Sequence, residues 1–243
     1  RSRNAMRKLL LISVLLSAMV SSCSKDEIEF QNNDLKIKII AGDNWLHDFP
    51  LFIGINKKNP PQFAVWLTDL DTNYVGTIFC THKIAREGWI ANKGNRRKEA
   101  LPFWCHNRGV VYSDGLYLPT KSNPLVDGLT GATPTGDYFI KVSPTQNSTY
   151  LIFAEFNHSV DFNSYYKENS SQGSFYYSGG SEGSGQPALV YCARIDLNSA
   201  QDYWELQLIG HSSPDGSNGN LYANLNEISS AKNIISKVII ERK

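Results

Sequence analysis

The residue types that could do chemistry in this chain are five histidines, four cysteines and a few short clusters of carboxylates and hydroxyls. His47, His82, His106, His158 and His211 lie far apart, with no His-x-x-x-His or His-x-His spacing to set two metal ligands on one face of a helix or strand. The expectation is strand-end histidines bonded to backbone, with His106 and His158 as the two that could line a cleft with Asp161 nearby. His211-Ser212-Ser213-Pro214-Asp215-Gly216 holds a histidine, serines and an aspartate in a single turn rather than on separate elements, so it is not a hydrolase signature. Asp69-x-Asp71-x-Asn73 fails as a calcium loop, because Tyr74 stands where the sharp turn needs glycine and Cys80 where the bidentate glutamate belongs. Arg96-Arg97-Lys98, a short basic run beside Trp89, could contact phosphate but reads first as a solvated loop. The remaining cluster is Asp127-Gly128-Leu129-Thr130-Gly131-Ala132-Thr133. On composition alone, Asp127 to Gly136, with three Gly, three Thr and Pro134, is a turn leading into a strand.

These residues must be positioned by a β-rich chain. Leu35 to Ala41 alternates apolar and polar, and Phe63 to Thr68 with Tyr74 to His82 reads as a hairpin around Asp69-Leu70-Asp71-Thr72-Asn73. Further strands are expected at Asp137 to Val142, Thr149 to Phe156, Ala188 to Ile195, Tyr203 to Gly210 and Val238 to Arg242, all rich in aromatic and β-branched residues. The one helical pattern is Asn226 to Ser236. An all-β antiparallel sandwich with long loops and at most one short helix follows. The tryptophans read chiefly as its core, and Gly173 to Gly185, Gly/Ser-rich around Phe175, Tyr176 and Tyr177, as a flexible loop.

The N-terminus addresses the chain. Arg7 and Lys8 precede the short apolar run Leu9 to Val20, and Ser21-Ser22-Cys23 closes it. That is a bacterial lipoprotein signal: residues 1–22 are expected to be removed, Cys23 to be acylated, 23–34 to be a lipidated tether and 35–243 a single sandwich domain. Ser24 and the Lys25-Asp26-Glu27 run point to the outer membrane, facing either the periplasm or the surface. With 24 basic against 23 acidic residues there is no field to attract nucleic acid, so membrane attachment rests on lipid. Cys80, Cys105 and Cys192 are odd in number with no Cys-x-x-Cys spacing. A Cys80–Cys105 disulfide is the first choice, three buried thiols the alternative.

Asp127 to Thr133 resembles the acceptor motif of proteins that receive flavin mononucleotide (FMN) covalently from an extracytoplasmic flavin transferase. There an Asp precedes Ser/Thr-Gly-Ala-Thr, and the last Thr becomes a phosphodiester. The resemblance implies Thr133 as the attachment point, Asp127 as an orienting carboxylate and Thr130 as a supporting hydroxyl. Gly131 and Ala132 would let the backbone enter a narrow active site. A longer resemblance carries through Asn59-Pro60-Pro61-Gln62-Phe63-Ala64-Val65-Trp66, Tyr74-Val75-Gly76-Thr77, Leu101-Pro102-Phe103-Trp104, Gly136-Asp137-Tyr138 and Gly185-Gln186-Pro187-Ala188-Leu189-Val190-Tyr191. It is to a periplasmic family, domain of unknown function 2271. This implies an immunoglobulin-like sandwich encoded with membrane electron-transfer proteins and flavin transferases. The expected function is an extracytoplasmic FMN-bearing electron carrier rather than an enzyme. The alternative is a cofactor-free binding or assembly module of the cell envelope.

Overall fold

Phe63-Ala64-Val65-Trp66 is apolar without alternation, which a strand tolerates only when both of its faces are covered. The computed structural model, which describes residues 29–50, 54–89, 96–144 and 148–243, shows what covers them. These four residues sit in β4 (Gln62–Thr68), inside a six-stranded sheet. Its order is β11 (Gln207–His211), β9 (Leu189–Asp196), β8 (Thr149–Asn157), β4, β5 (Tyr74–Thr81), β6 (Leu129–Gly131). A four-stranded sheet runs β10 (Tyr203–Glu205), β12 (Ile235–Arg242), β1 (Leu35–Ala41), β7 (Tyr138–Val142). A separate hairpin joins β2 (His47–Pro50) to β3 (Asn56–Asn59). The pairings of the two main sheets are antiparallel except β5 with β6.

Between the sheets lies one core, with Ile37, Ile39, Val238 and Ile240 from the smaller sheet meeting Phe63, Val65, Ile152 and Phe156 from the larger. The period-2 pattern of β1 explains its side, since Leu35, Ile37 and Ile39 are buried while Lys36 and Lys38 stay half-buried. The other face of the larger sheet is covered too. Ala64, Trp66, Cys80, Phe153 and Val190 pack under two short helices, α1 (His82–Ala85) and α2 (Pro102–Arg108), with Leu101, Trp104 and Leu125. The protein is therefore an all-β sandwich with a helical cover on one face.

Several sequence expectations change. The helix expected over Asn226 to Ser236 is a single 3-10 turn, Ser230–Asn233, and β12 begins at Ile235. Pairing of Ile235 with Ala41 and of Val238 with Ile39 outweighs the helical pattern there. Instead of at most one short helix there are two α-helices and this turn among the described residues. α2 has clear local signals, with Pro102 at its first turn and Gly109 in a left-handed conformation closing it. The strand expected over Tyr203 to Gly210 breaks at Leu206 and serves both sheets in turn. Cys80 and Cys105 are free thiols, buried in the apolar layer beneath α2 as small hydrophobes, and burial pushes both upward; Cys192 is also free and half-buried.

Residues Gln31–Lys243 form one compact unit. The last residues of the expected tether belong to it: Asp34 is buried, accepts from Gln31 N and Ser143 Oγ and pairs with Lys141, while Lys243 N donates to Asp34 O. The signal segment and Cys23 lie outside the described residues.

Candidate functional site

The segment Asp127 to Thr133 runs along the edge of the larger sheet. Its middle is β6, three residues long, pairing Leu129 with Phe79, Cys80 with Thr130 and Thr81 with Gly131. Glycine is required at its start: a Cβ on Gly128 would lie 2.9 Å from Thr77 O, which is backbone and cannot yield. A Cβ on Gly131 would stand 3.3 Å from the Phe79 ring.

Asp127 is anchored rather than free. Tyr74 Oη donates to its Oδ2, and Arg108 Nη2, from the last turn of α2, stands 3.9 Å from its Oδ1. Burial, and then the carboxylate at its hydroxyl, push the Tyr74 phenol up. The Arg108 side chain is 5% exposed and packs over the Trp104 ring at 5.1 Å. Burial alone would lower its pKa, but Tyr112 and Asp127 outweigh that and the charge is held. Trp104 Nε1 in turn donates to Thr77 Oγ1 at 3.1 Å, so α2, β5 and the motif's first residues form one bonded unit.

At the other end Thr133 is half-buried in the connection from β6 to β7. Its Oγ1 accepts one long bond, 3.4 Å, from Gln62 Nε2. Gln62 is oriented by Thr81 Oγ1, which donates to its Oε1 at 2.8 Å and accepts from Phe63 N. The following residues are pinned, with Trp45 Nε1 donating to Pro134 O at 3.1 Å and Ala41 N donating to Asp137 Oδ1 at 2.8 Å. Thr130 is half-buried and Ala132 exposed. No histidine or carboxylate among the described residues bonds the Thr133 hydroxyl. Chemically, Thr133 is a half-buried alcohol with no general base bonded to it among the described residues, so its use as a nucleophile would need a base from elsewhere.

Most of the other candidates are bonded within the fold. His158 is buried, its Nε2 donates to Asn44 O at 2.8 Å, and burial lowers its pKa to about 4. It packs against His47, with ring centroids 5.3 Å apart. Asp161 accepts from Ser230 Oγ at 2.5 Å and not from His106, whose Nδ1 bonds Pro102 O on its own helix. His211 Nδ1 bonds Ser212 O, while Asp215 holds Ser213 and Ser217, so the turn satisfies itself. Asp69 is likewise consumed by its own turn, accepting from Asp71 N, Asn73 N and Asn73 Nδ2. Among the described residues no group of three or more His, Cys, Asp or Glu could hold a metal ion.

Two loops expected to be solvated or flexible are ordered by each other. Arg97 is buried, pairs with Glu99 at 3.0 Å and donates to Ser159 Oγ and Ser184 Oγ. Ser184 and Ser178, inside the Gly173 to Gly185 stretch, are buried with it. A desolvated guanidinium needs this full set of partners, which is why the loop closes over it.

Sequence reasoning missed Arg108, Tyr74 and Gln62, which reach the motif from elsewhere in the chain; no spacing signal marks them. Comparison with protein-family models, with curated proteins and with solved structures found no match.

Proposed function

We propose that this protein is a lipid-anchored electron carrier of the bacterial cell envelope, bearing FMN on Thr133. The observation that carries the reading is the combination at the sheet edge: an Asp-x-x-Thr-Gly-Ala-Thr sequence whose final residue is only half-buried, with a hydroxyl that accepts one long bond and has no base on it among the described residues. A catalytic nucleophile needs a neighbouring base, whereas an acceptor for a separate transferase needs access and a backbone slim enough to enter that enzyme. Gly131 and Ala132 supply the slimness. In the transfer, Thr133 Oγ forms a bond to the flavin-side phosphorus of flavin adenine dinucleotide and the pyrophosphate P–O bond breaks. Adenosine monophosphate leaves, and the threonine proton passes to the transferase or solvent. When attached, FMN supplies the redox chemistry; the chain supplies attachment at Thr133 and a motif held at Asp127 by Tyr74 and Arg108. Acylated Cys23 would keep the carrier beside membrane redox partners, at the outer membrane, with no role for nucleic acid.

The test is intact and peptide mass spectrometry of the lipoprotein from its native envelope, beside Thr133→Ala. An FMN adduct on the peptide containing Thr133, absent in the variant, is expected. An unmodified Thr133 in cells with an active flavin transferase refutes the reading.

One observation favours a cofactor-free binding module as the second reading. Tyr165 and Phe175 are both 49% exposed and flank Tyr176, forming an aromatic surface in the loops before β9. Partners captured by the native protein, lost with Tyr165→Ser and Phe175→Ser but retained with Thr133→Ala, would support it.

A further inference from the structure

Beside α2 lies a cleft of about 220 Å³, lined by Lys98, Cys105, His106, Tyr117, Gly216 and Ser217 among others. That is well above the ~10–15 Å³ that one water needs on this measure, room for a small anion. Of the side chains that line it, Lys98 and His106 are basic and none is acidic. Asp215, next to the lining turn, has its Oδ1 committed to Ser213 Oγ at 2.8 Å and Ser217 N at 3.0 Å; against the effect of burial, those bonds and the charge of nearby Lys98 lower its pKa.

His106 is built to present one nitrogen. Its Nδ1 lies 2.8 Å from Pro102 O, and a carbonyl only accepts, so the proton sits on Nδ1. The ring stacks on Tyr117 with centroids 4.0 Å apart, which fixes its plane. Nε2 has no hydrogen-bond partner among the described residues. The opposite wall is pressed close by glycines: a Cβ on Gly216 would meet Lys98 O at 2.3 Å, and one on Gly219 would meet His106 Cβ at 2.4 Å. Ser217 Oγ accepts from Asn218 Nδ2 at 3.3 Å and lies 3.4 Å from Ser213 Oγ, whose own proton goes to Asp215, so the Ser217 hydroxyl is engaged within its turn.

We propose that this cleft binds a small anion, a carboxylate- or phosphate-bearing molecule, between the Lys98 ammonium and the His106 ring, which takes up a second proton at Nε2 with the anion and donates it, since with Nδ1–H held on Pro102 O that nitrogen is a donor only in the doubly protonated ring. The site is separate from Thr133 and does not depend on the flavin reading. The test uses the full lipoprotein in detergent at low salt, titrated calorimetrically with inorganic phosphate and, separately, with succinate, in wild type, Lys98→Met, His106→Gln and the exposed-strand control Lys237→Met. Saturable binding of at least one anion is expected, weakened by at least about tenfold in each cleft variant, the loss typical of one charge-assisted hydrogen bond, and unchanged in the control. Imidazole nitrogen NMR of the wild type gives a reading that needs no variant. The His106 signals must move with the same dissociation constant while those of His47, His82, His158 and His211 stay. Binding of neither anion at millimolar concentration, binding indifferent to both variants, or a titration that leaves His106 unmoved overturns the proposal. Which anion binds tells carboxylate from phosphate.

Discussion

Glu155 is the residue through which pH should act most visibly on this fold. It lies on β8, fully buried, with Oε1 accepting from Phe103 N at 3.2 Å and Oε2 from Trp104 N at 2.8 Å, at the start of α2. Burial dominates over those two bonds and raises its pKa from 4.5 to about 8. Between those values the folded protein holds a proton that the unfolded chain has lost, so stability falls as pH rises, at about 1.4 kcal/mol per pH unit and about 5 kcal/mol over the whole window. His158 works in the opposite sense. Its pKa falls from 6.5 to about 4, so the unfolded chain binds the extra proton and stability rises with pH between those values, by about 3 kcal/mol. The two nearly cancel from about pH 4.5 to 6.5. Above that, Glu155 acts alone and should cost the wild type about 2 kcal/mol by pH 8. Glu155→Gln keeps shape and removes the titration, so its stability should climb from pH 4 to 6.5 and then level. Urea unfolding followed by tryptophan fluorescence at pH 5.0, 6.5 and 8.0 reads both curves. The common contributions of Asp161 and His211 drop out of their difference. A difference between wild type and Glu155→Gln that stays constant from pH 5 to 8 would refute the reasoning.

Other expectations are more local. Trp104→Ala should cost about 3–5 kcal/mol in the same urea assay, because it empties the centre of the layer under α2 and strips Thr77 and Arg108 of a partner. Val160 carries a φ of +56°, a strained conformation for a β-branched residue, so Val160→Gly should raise the unfolding midpoint, by up to about 1 kcal/mol in stability. Since Cys80, Cys105 and Cys192 are free, reductant should leave the melting temperature unchanged, and a thiol reagent should label Cys192 before the other two in folded protein.

What the sequence made legible was what its local patterns determine. β1 could be read because Lys36 and Lys38 alternate with Leu35, Ile37 and Ile39, and the β4–β5 hairpin because Asp69 and Asn73 are turn residues that here bond each other. α2 went unseen because seven residues hold too little periodicity; its stability comes from Glu155, Trp66 and the sheet beneath it. β6 is three residues paired in parallel, below the length at which alternation means anything. The motif could be read as a string, but its setting could not. Asp127 meets Tyr74 across 53 residues and Thr133 meets Gln62 across 71, and such pairings exist only once the strands are in register. The cleft beside His106 was half legible: that histidine was a candidate, but its neighbour is Tyr117 rather than Asp161.

The break at Leu206 has a mechanical consequence. Tyr203–Glu205 hydrogen-bonds into the smaller sheet through β12, and two residues later Gln207–His211 hydrogen-bonds into the larger through β9, while Leu206 N itself donates to Val238 O and its side chain fills the core. One short length of backbone is thus stitched into both layers with almost no slack. The layers cannot part like the covers of a book along that seam without tearing one ladder or the other. Opening wide enough to admit solvent to the core must therefore happen elsewhere along the rim, or together with the collapse of both sheets.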